Sequence, residues 1–259
     1  MTDATARGAP EILRELRLPV AVLVGTVVAV AWYVTWAGSD LSAMLMMAPS
    51  SAADLPNVVL FFALLVVMMV AMMLPAALPM ILTVHGISRL EAGRPTKPAD
   101  RVATALFVVP YFLVWGGFSL LALFGVAALG LTSPLTGSLA LLPAGVLIAA
   151  GAYQVTRTKE VCLAHCQSPM SFVMRHWRAG RGGAFRMGLH HSAYCIGCCW
   201  LFMLVLFVAG AMSLLWMGAL SVAIFVEKAG PRTPLLPRAI GAILVVMGLV
   251  LGVRALGFV

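Results

Sequence analysis

Long apolar runs separated by short charged clusters set the pattern of this chain. Residues 19–38, 57–84, 102–129, 135–156 and 192–226 contain no Asp, Glu, Lys or Arg, and a shorter uncharged run covers 239–253. A helix that crosses a bilayer needs about 20 predominantly apolar residues, and five of the runs reach that length. Residues 192–226 are too long for one span: a single straight helix would measure about 50 Å against a hydrocarbon core of ~30 Å. The run is therefore a helix projecting from the membrane, or a hairpin turning near residues 210–213. Lys228, Arg232 and Arg238 beyond it favour the hairpin. The pattern predicts an all-α, polytopic integral membrane helical bundle of six or seven transmembrane helices, forming one domain over residues 1–259.

The charged clusters give the bundle a sidedness. Residues 39–56 hold Asp40 and Asp54 and no basic residue, with an apolar patch at 41–48, and are expected outside with the patch at the interface. Arg89, Arg94, Lys97 and Arg101 fill the next connection. Arg157, Lys159, Arg175, Arg178, Arg181 and Arg186 stand against Glu160 alone in the longest polar segment. By the positive-inside rule these two segments and the N-terminus are cytoplasmic, and 157–191 is read as a cytoplasmic Cys/His-containing loop. Arg7, Arg14 and Arg17 precede the first run, which is longer than the ~7–15 apolar residues of a signal peptide and has no convincing small-x-small cleavage site after it. A retained first helix is expected.

Composition sharpens this picture. The chain is 62% hydrophobic and 10% charged, where soluble domains carry roughly 45–50% and about 25%. A formal charge of +8 over 259 residues invites a nucleic-acid partner. Its distribution between apolar runs fits topology instead, so the lipid bilayer and no nucleic acid is the expected surrounding.

The chemistry concentrates in one stretch. All five cysteines lie between Cys162 and Cys199, with His165, His176, His190 and His191 among them. Two triplets, Cys162, His165, Cys166 and Cys195, Cys198, Cys199, share offsets of 0, +3 and +4, which place three side chains on one face within a single helical turn. Thiolate and imidazole together select zinc, copper(I) or an iron–sulfur cluster, whereas calcium and magnesium want oxygen ligands. Because zinc prefers four ligands and each triplet supplies at most three, one shared site is expected, with Cys162, Cys166, Cys195 and Cys198 as ligands and Cys199, His165, His190 and His191 as alternates. His176 reads as a plain loop histidine, and His85, near a helix end, as interfacial.

Methionine adds a second signal. Met68, Met69, Met72, Met73 and Met80 span an arc of about 140° on one helix. Pro75 and Pro79 interrupt that helix and free backbone carbonyls, and thioethers are acceptable copper(I) ligands. The stripe is a possible metal relay from Met44, Met46 and Met47 inward; methionine is also a common gap-filler in packed helices. No carboxylate lies inside an apolar run, which disfavours a proton-coupled transporter, and no phosphate-binding loop, dinucleotide fingerprint or Ser/His/Asp arrangement is present.

The segments 69–79 (MVAMMLPAALP), 153–166 (YQVTRTKEVCLAHC) and 188–200 (GLHHSAYCIGCCW), followed by Met203 and the Glu227–Lys228 pair, resemble those of a bacterial family described as predicted metal-binding integral membrane proteins, a domain of unknown function. The resemblance covers about residues 56–228 and implies that Cys162, Cys166, Cys195, Cys198 and Cys199 belong to the family's pattern. The expected setting is the bacterial cytoplasmic (inner) membrane, with several passes and a cytoplasmic N-terminus. The leading expectation is a non-enzymatic protein that holds a soft metal ion, copper(I) ahead of zinc, for transport, sensing or metallo-enzyme assembly with a protein partner in the membrane or envelope. The competing expectations are a thiol–disulfide oxidoreductase using Cys195 and Cys198 with Cys162 and Cys166 as relay, and a subunit of a membrane metallo-oxidoreductase. Cytosolic glutathione, which keeps thiols reduced, weighs against the redox alternative.

Overall fold

The computed structural model describes residues 9–47, 55–88, 90–91, 94–95, 100–128, 140–178, 180–208 and 213–256. Within them, apart from a two-residue antiparallel pairing of β1 (Leu90–Glu91) with β2 (Arg94–Pro95), every element is helical. The helices are α1 (Ala9–Ala37), α2 (Ser39–Met47), α3 (Leu55–Ile87), α4 (Arg101–Ala128), α5 (Leu142–Tyr153), α6 (Arg157–Gln167), α7 (Pro169–His176), α8 (Gly180–Val208), α9 (Leu214–Ala229) and α10 (Leu235–Ala255). Five of them contain stretches long and apolar enough to cross a membrane: Leu18–Ala37, Pro56–Ile87, Arg101–Ala122, Gly180–Phe207 and Leu235–Ala255. The other two of the expected seven, α5 and α9, have 12 and 16 residues, or about 18 and 24 Å, short of a ~30 Å core. Residues 192–226 do divide between α8 and α9. The turn expected near 210–213 falls largely outside the described residues, as does Asp54.

The polar segment is where the expected architecture changes. Residues 157–191 are not an irregular loop: they form α6, α7 and the start of α8, which begins at Gly180 rather than at 192. Hydropathy marks only the apolar part of a helix, whereas Arg, Lys, Glu and Ala are all good helix formers. Local signals place the boundaries. The Thr156 side chain caps α6 by accepting from the Lys159 backbone N–H, and Glu160 sits in the first turn, where a negative charge complements the helix dipole. Pro169 opens α7, and Gly180, at φ 81°, supplies the left-handed conformation that ends the connection before α8.

Helix α8 is the hub, packing against α4, α5, α6 and α9, while α3 packs against α1, α4, α7 and α9. Helix α8 crosses α4 closely at Gly188, where a side chain would run into the Phe107 carbonyl. On the far side α10 lies on α5 through Gly151, Gly241 and Gly248, the small-residue contact that lets apolar helices approach closely. Helix α3 runs unbroken through Pro75 and Pro79, so the prolines do not interrupt it as expected; neighbouring helices support such a backbone. The core holds Met68, Met69, Met72, Met73, Met80, Phe107, Tyr111, Trp115 and the cysteines of α8. By contrast α1 and α10 turn Leu23, Val30, Ile243, Val246 and Leu249 outward.

Candidate metal centre

The two cysteine triplets face each other because α6 folds back against the middle of α8. Cys166 of α6 and Cys198 of α8 bring their Sγ atoms to 4.0 Å. That is twice the ~2.05 Å of a disulfide, and all five cysteines are free thiols. With metal–sulfur bonds of ~2.3 Å, two sulfurs so spaced subtend an angle of about 120° at a shared ion.

The other cysteines point elsewhere. Cys199 lies 3.8 Å from Met73 Sδ on α3 and donates its thiol proton to the Cys195 carbonyl at 2.8 Å; Cys198 lies 3.1 Å from the same carbonyl. Cys195 receives the Lys228 ammonium at 3.0 Å and lies 3.5 Å from the Tyr111 hydroxyl, which donates to the Met73 carbonyl at 2.9 Å. Cys162 is half-buried against Gly197, where an added Cβ would meet its Sγ at 2.7 Å. Among the described residues, no three His, Cys, Asp or Glu side chains converge closely enough to enclose an ion as they stand. The four cysteines expected as ligands thus present one close pair, Cys166 and Cys198. The thiols of α6 are held in their neutral form: burial pushes Cys162 up, and a hydrogen bond with Cys198, reinforced by burial, pushes Cys166 well above the ordinary thiol range.

The histidines divide into two groups. His191 is buried on α8, stacked between Phe107 and Tyr111 at centroid distances of 5.7 and 6.1 Å, and neither ring nitrogen has a hydrogen-bond partner among the described residues. It stands one turn before Cys195, on the face that also carries Cys198. His165 and His190 lie at the rim instead. His165 stacks on Tyr194 at 4.0 Å with its Nδ1 2.8 Å from the Val161 carbonyl, and the exposed His190 ring is 5.4 Å from that of His176. His176, expected to be a plain loop histidine, is on α7 and joins this cluster, 6.5 Å from His165. His85, in the last turn of α3, is buried, its Nδ1 2.9 Å from Thr104 Oγ1.

All five methionines of the α3 stripe are buried. Met73 brings its sulfur to a thiol, and Met68, Met69, Met72 and Met80 complete the apolar wall around it.

Sequence reasoning missed the charged groups beneath the centre. Lys159 and Glu227 form a fully buried ion pair at 2.7 Å, the Lys159 ammonium 4.5 Å from the Phe202 ring centroid. The other Glu227 oxygen accepts from Gln154 at 2.9 Å, and its carbonyl accepts from Gln167 at 2.6 Å, tying α5, α6 and α9 together. Lys159 counts as a topology-setting basic residue in the sequence, and Glu227 and Lys228 lie just past an apolar run. The spacing of Lys159 only seven residues before Cys166 was the available signal.

No curated protein and no solved structure matches this chain. A family model, PpoB2, described as copper chaperone, matches residues 62–251, a span that takes in the methionine stripe, both cysteine triplets, His191 and the Lys159–Glu227 pair. The metal-related family expected from the cysteine pattern is thereby met at that level, with copper as its metal, and the chain belongs to the PpoB2 copper chaperone family.

Proposed function

We propose that this chain is a membrane-embedded copper chaperone that holds copper(I) between Cys166 and Cys198 and passes it to a protein partner in the membrane or envelope. The observation that carries this reading is the 4.0 Å pair of free thiols contributed by two separate helices in a methionine-walled core. Thiolate and thioether are the donors that suit copper(I). Loading is a ligand exchange with no redox change: Cu⁺ replaces the two thiol protons, giving a two-sulfur complex of charge −1 and two protons that leave to water. His191, two turns before Cys198 on α8 with both nitrogens unpartnered, and Met73, beside Cys199, are the neighbouring donors to which the ion passes next.

The outward apolar surface of α1 and α10 supports insertion in the bilayer, since soluble proteins rarely expose apolar patches of this extent. With the basic clusters inside, the proposed setting is the bacterial cytoplasmic membrane with a cytoplasmic N-terminus. Elemental analysis and thiol counting on the full chain, purified in detergent without added metal, test the proposal. Copper near one equivalent, with the cysteines unpaired after its removal, is the expected result. Paired cysteines without copper would overturn it in favour of thiol–disulfide exchange.

A further inference from the structure

Three charged side chains other than His and Cys are buried among the described residues: Lys159, Glu227 and Lys228. Two of them cancel, because Lys159 and Glu227 form a direct ion pair and Gln154 takes the remaining carboxylate oxygen. Lys228 is left with no carboxylate partner among the described residues. Its ammonium lies 3.0 Å from Sγ of Cys195, one turn before Cys198 on α8. An unpaired cation in an apolar interior is costly, and its cost falls only when a negative group forms beside it.

We propose that Lys228 is the specificity-determining counter-charge of the cysteine centre, selecting a singly charged soft cation over a divalent one. The inference rests on the copper reading above. A monovalent ion exchanging for two thiol protons forms a two-sulfur complex of charge −1, and with Lys228 the buried centre sums to zero. A divalent ion on the same two sulfurs forms a neutral complex and leaves Lys228 uncompensated, so the buried centre keeps a net charge of +1. A divalent ion recovers neutrality only by drawing in a third thiolate. The geometry opposes that recruitment: Cys195 is engaged by Lys228 and Tyr111, Cys199 is turned towards Met73, and no three ligands converge among the described residues. Lys228 thus acts through charge without being a ligand.

The test compares wild type, Lys228→Met, Lys228→Gln and Lys228→Arg as full chains in detergent. Copper(I) affinity is measured anaerobically by competition with a chromogenic chelator, and zinc(II) affinity with a fluorescent one. The ratio of copper(I) to zinc(II) affinity should fall at least about tenfold in Lys228→Met and Lys228→Gln, the effect of a unit charge within about 12 Å of the ion at an effective dielectric of ~20. It should stay within about threefold of wild type in Lys228→Arg. A ratio unchanged in a folded Lys228→Met or Lys228→Gln protein overturns the role of Lys228. The double variant Cys166→Ser/Cys198→Ser separates this from the underlying reading: if it retains copper, the two-thiol site itself is wrong, whereas loss of copper there with an unchanged ratio in Lys228→Met refutes the counter-charge alone.

Discussion

Glu227 has its carboxylate held by Lys159 and Gln154 with no access to water, so removing one partner strands a buried charge. Lys159→Met should cost about 3–5 kcal/mol of stability, and adding Glu227→Leu should recover much of that loss; thermal unfolding of both single variants and the double checks it, and additive effects in the double would contradict the pair's coupling. The Cys166 thiol, held high by its hydrogen bond to Cys198 and by burial, stays protonated until the ion displaces the proton. Apparent copper affinity should therefore rise with pH across the neutral range, which competition titrations at two pH values would show. Individual residues were unevenly legible. The cysteines stood out because five of them crowd one stretch of an otherwise cysteine-free chain. Lys159 read only as a topology-setting charge, and Glu227 and Lys228 only as a pair within the family resemblance, because a charge beside an apolar run has the same appearance whether it sits at the membrane surface or folds back beneath it.

Among the elements, α8 bears most of the centre and its position depends on Gly188. A Cβ there would fall on the Phe107 carbonyl of α4, the same helix that sets Tyr111 against Cys195. Gly188→Ala should destabilise the protein by about 1–3 kcal/mol through overpacking and weaken copper retention, measured together by thermal unfolding and metal content; unaltered values for both would show that the crossing is slack. The apolar runs gave the cores of α1, α3, α4 and α10 closely, because an uncharged run of about 20 residues has few other solutions. They placed the start of α8 too late and left α6 and α7 unseen, since polar helices with caps and helix-forming side chains carry no hydropathy signal. The meeting of α6 with α8 was anticipated only as one site shared by the two cysteine triplets. That Cys198 pairs with Cys166 while Cys195 turns to Lys228 depends on the rotation of two packed helices, which no spacing rule encodes.

For the whole molecule, an apolar outer belt surrounds a core that is rich in methionine and holds the buried charges beside its thiols. If α6 and α7 lie on the cytoplasmic side, a membrane-impermeant thiol reagent applied to intact cells should leave a cysteine introduced by Ser168→Cys unlabelled; labelling would reverse the bundle. The central claim is that Cys166 and Cys198 form one copper site from two helices. Copper content of the full chain, measured by elemental analysis for wild type, Cys166→Ser and Cys198→Ser under anaerobic loading with one equivalent of copper(I), tests it most directly. Either single substitution should empty the protein, because a lone thiol cannot hold the ion against the chelator used in washing. Full copper occupancy in either single variant, with the fold retained, would contradict the account.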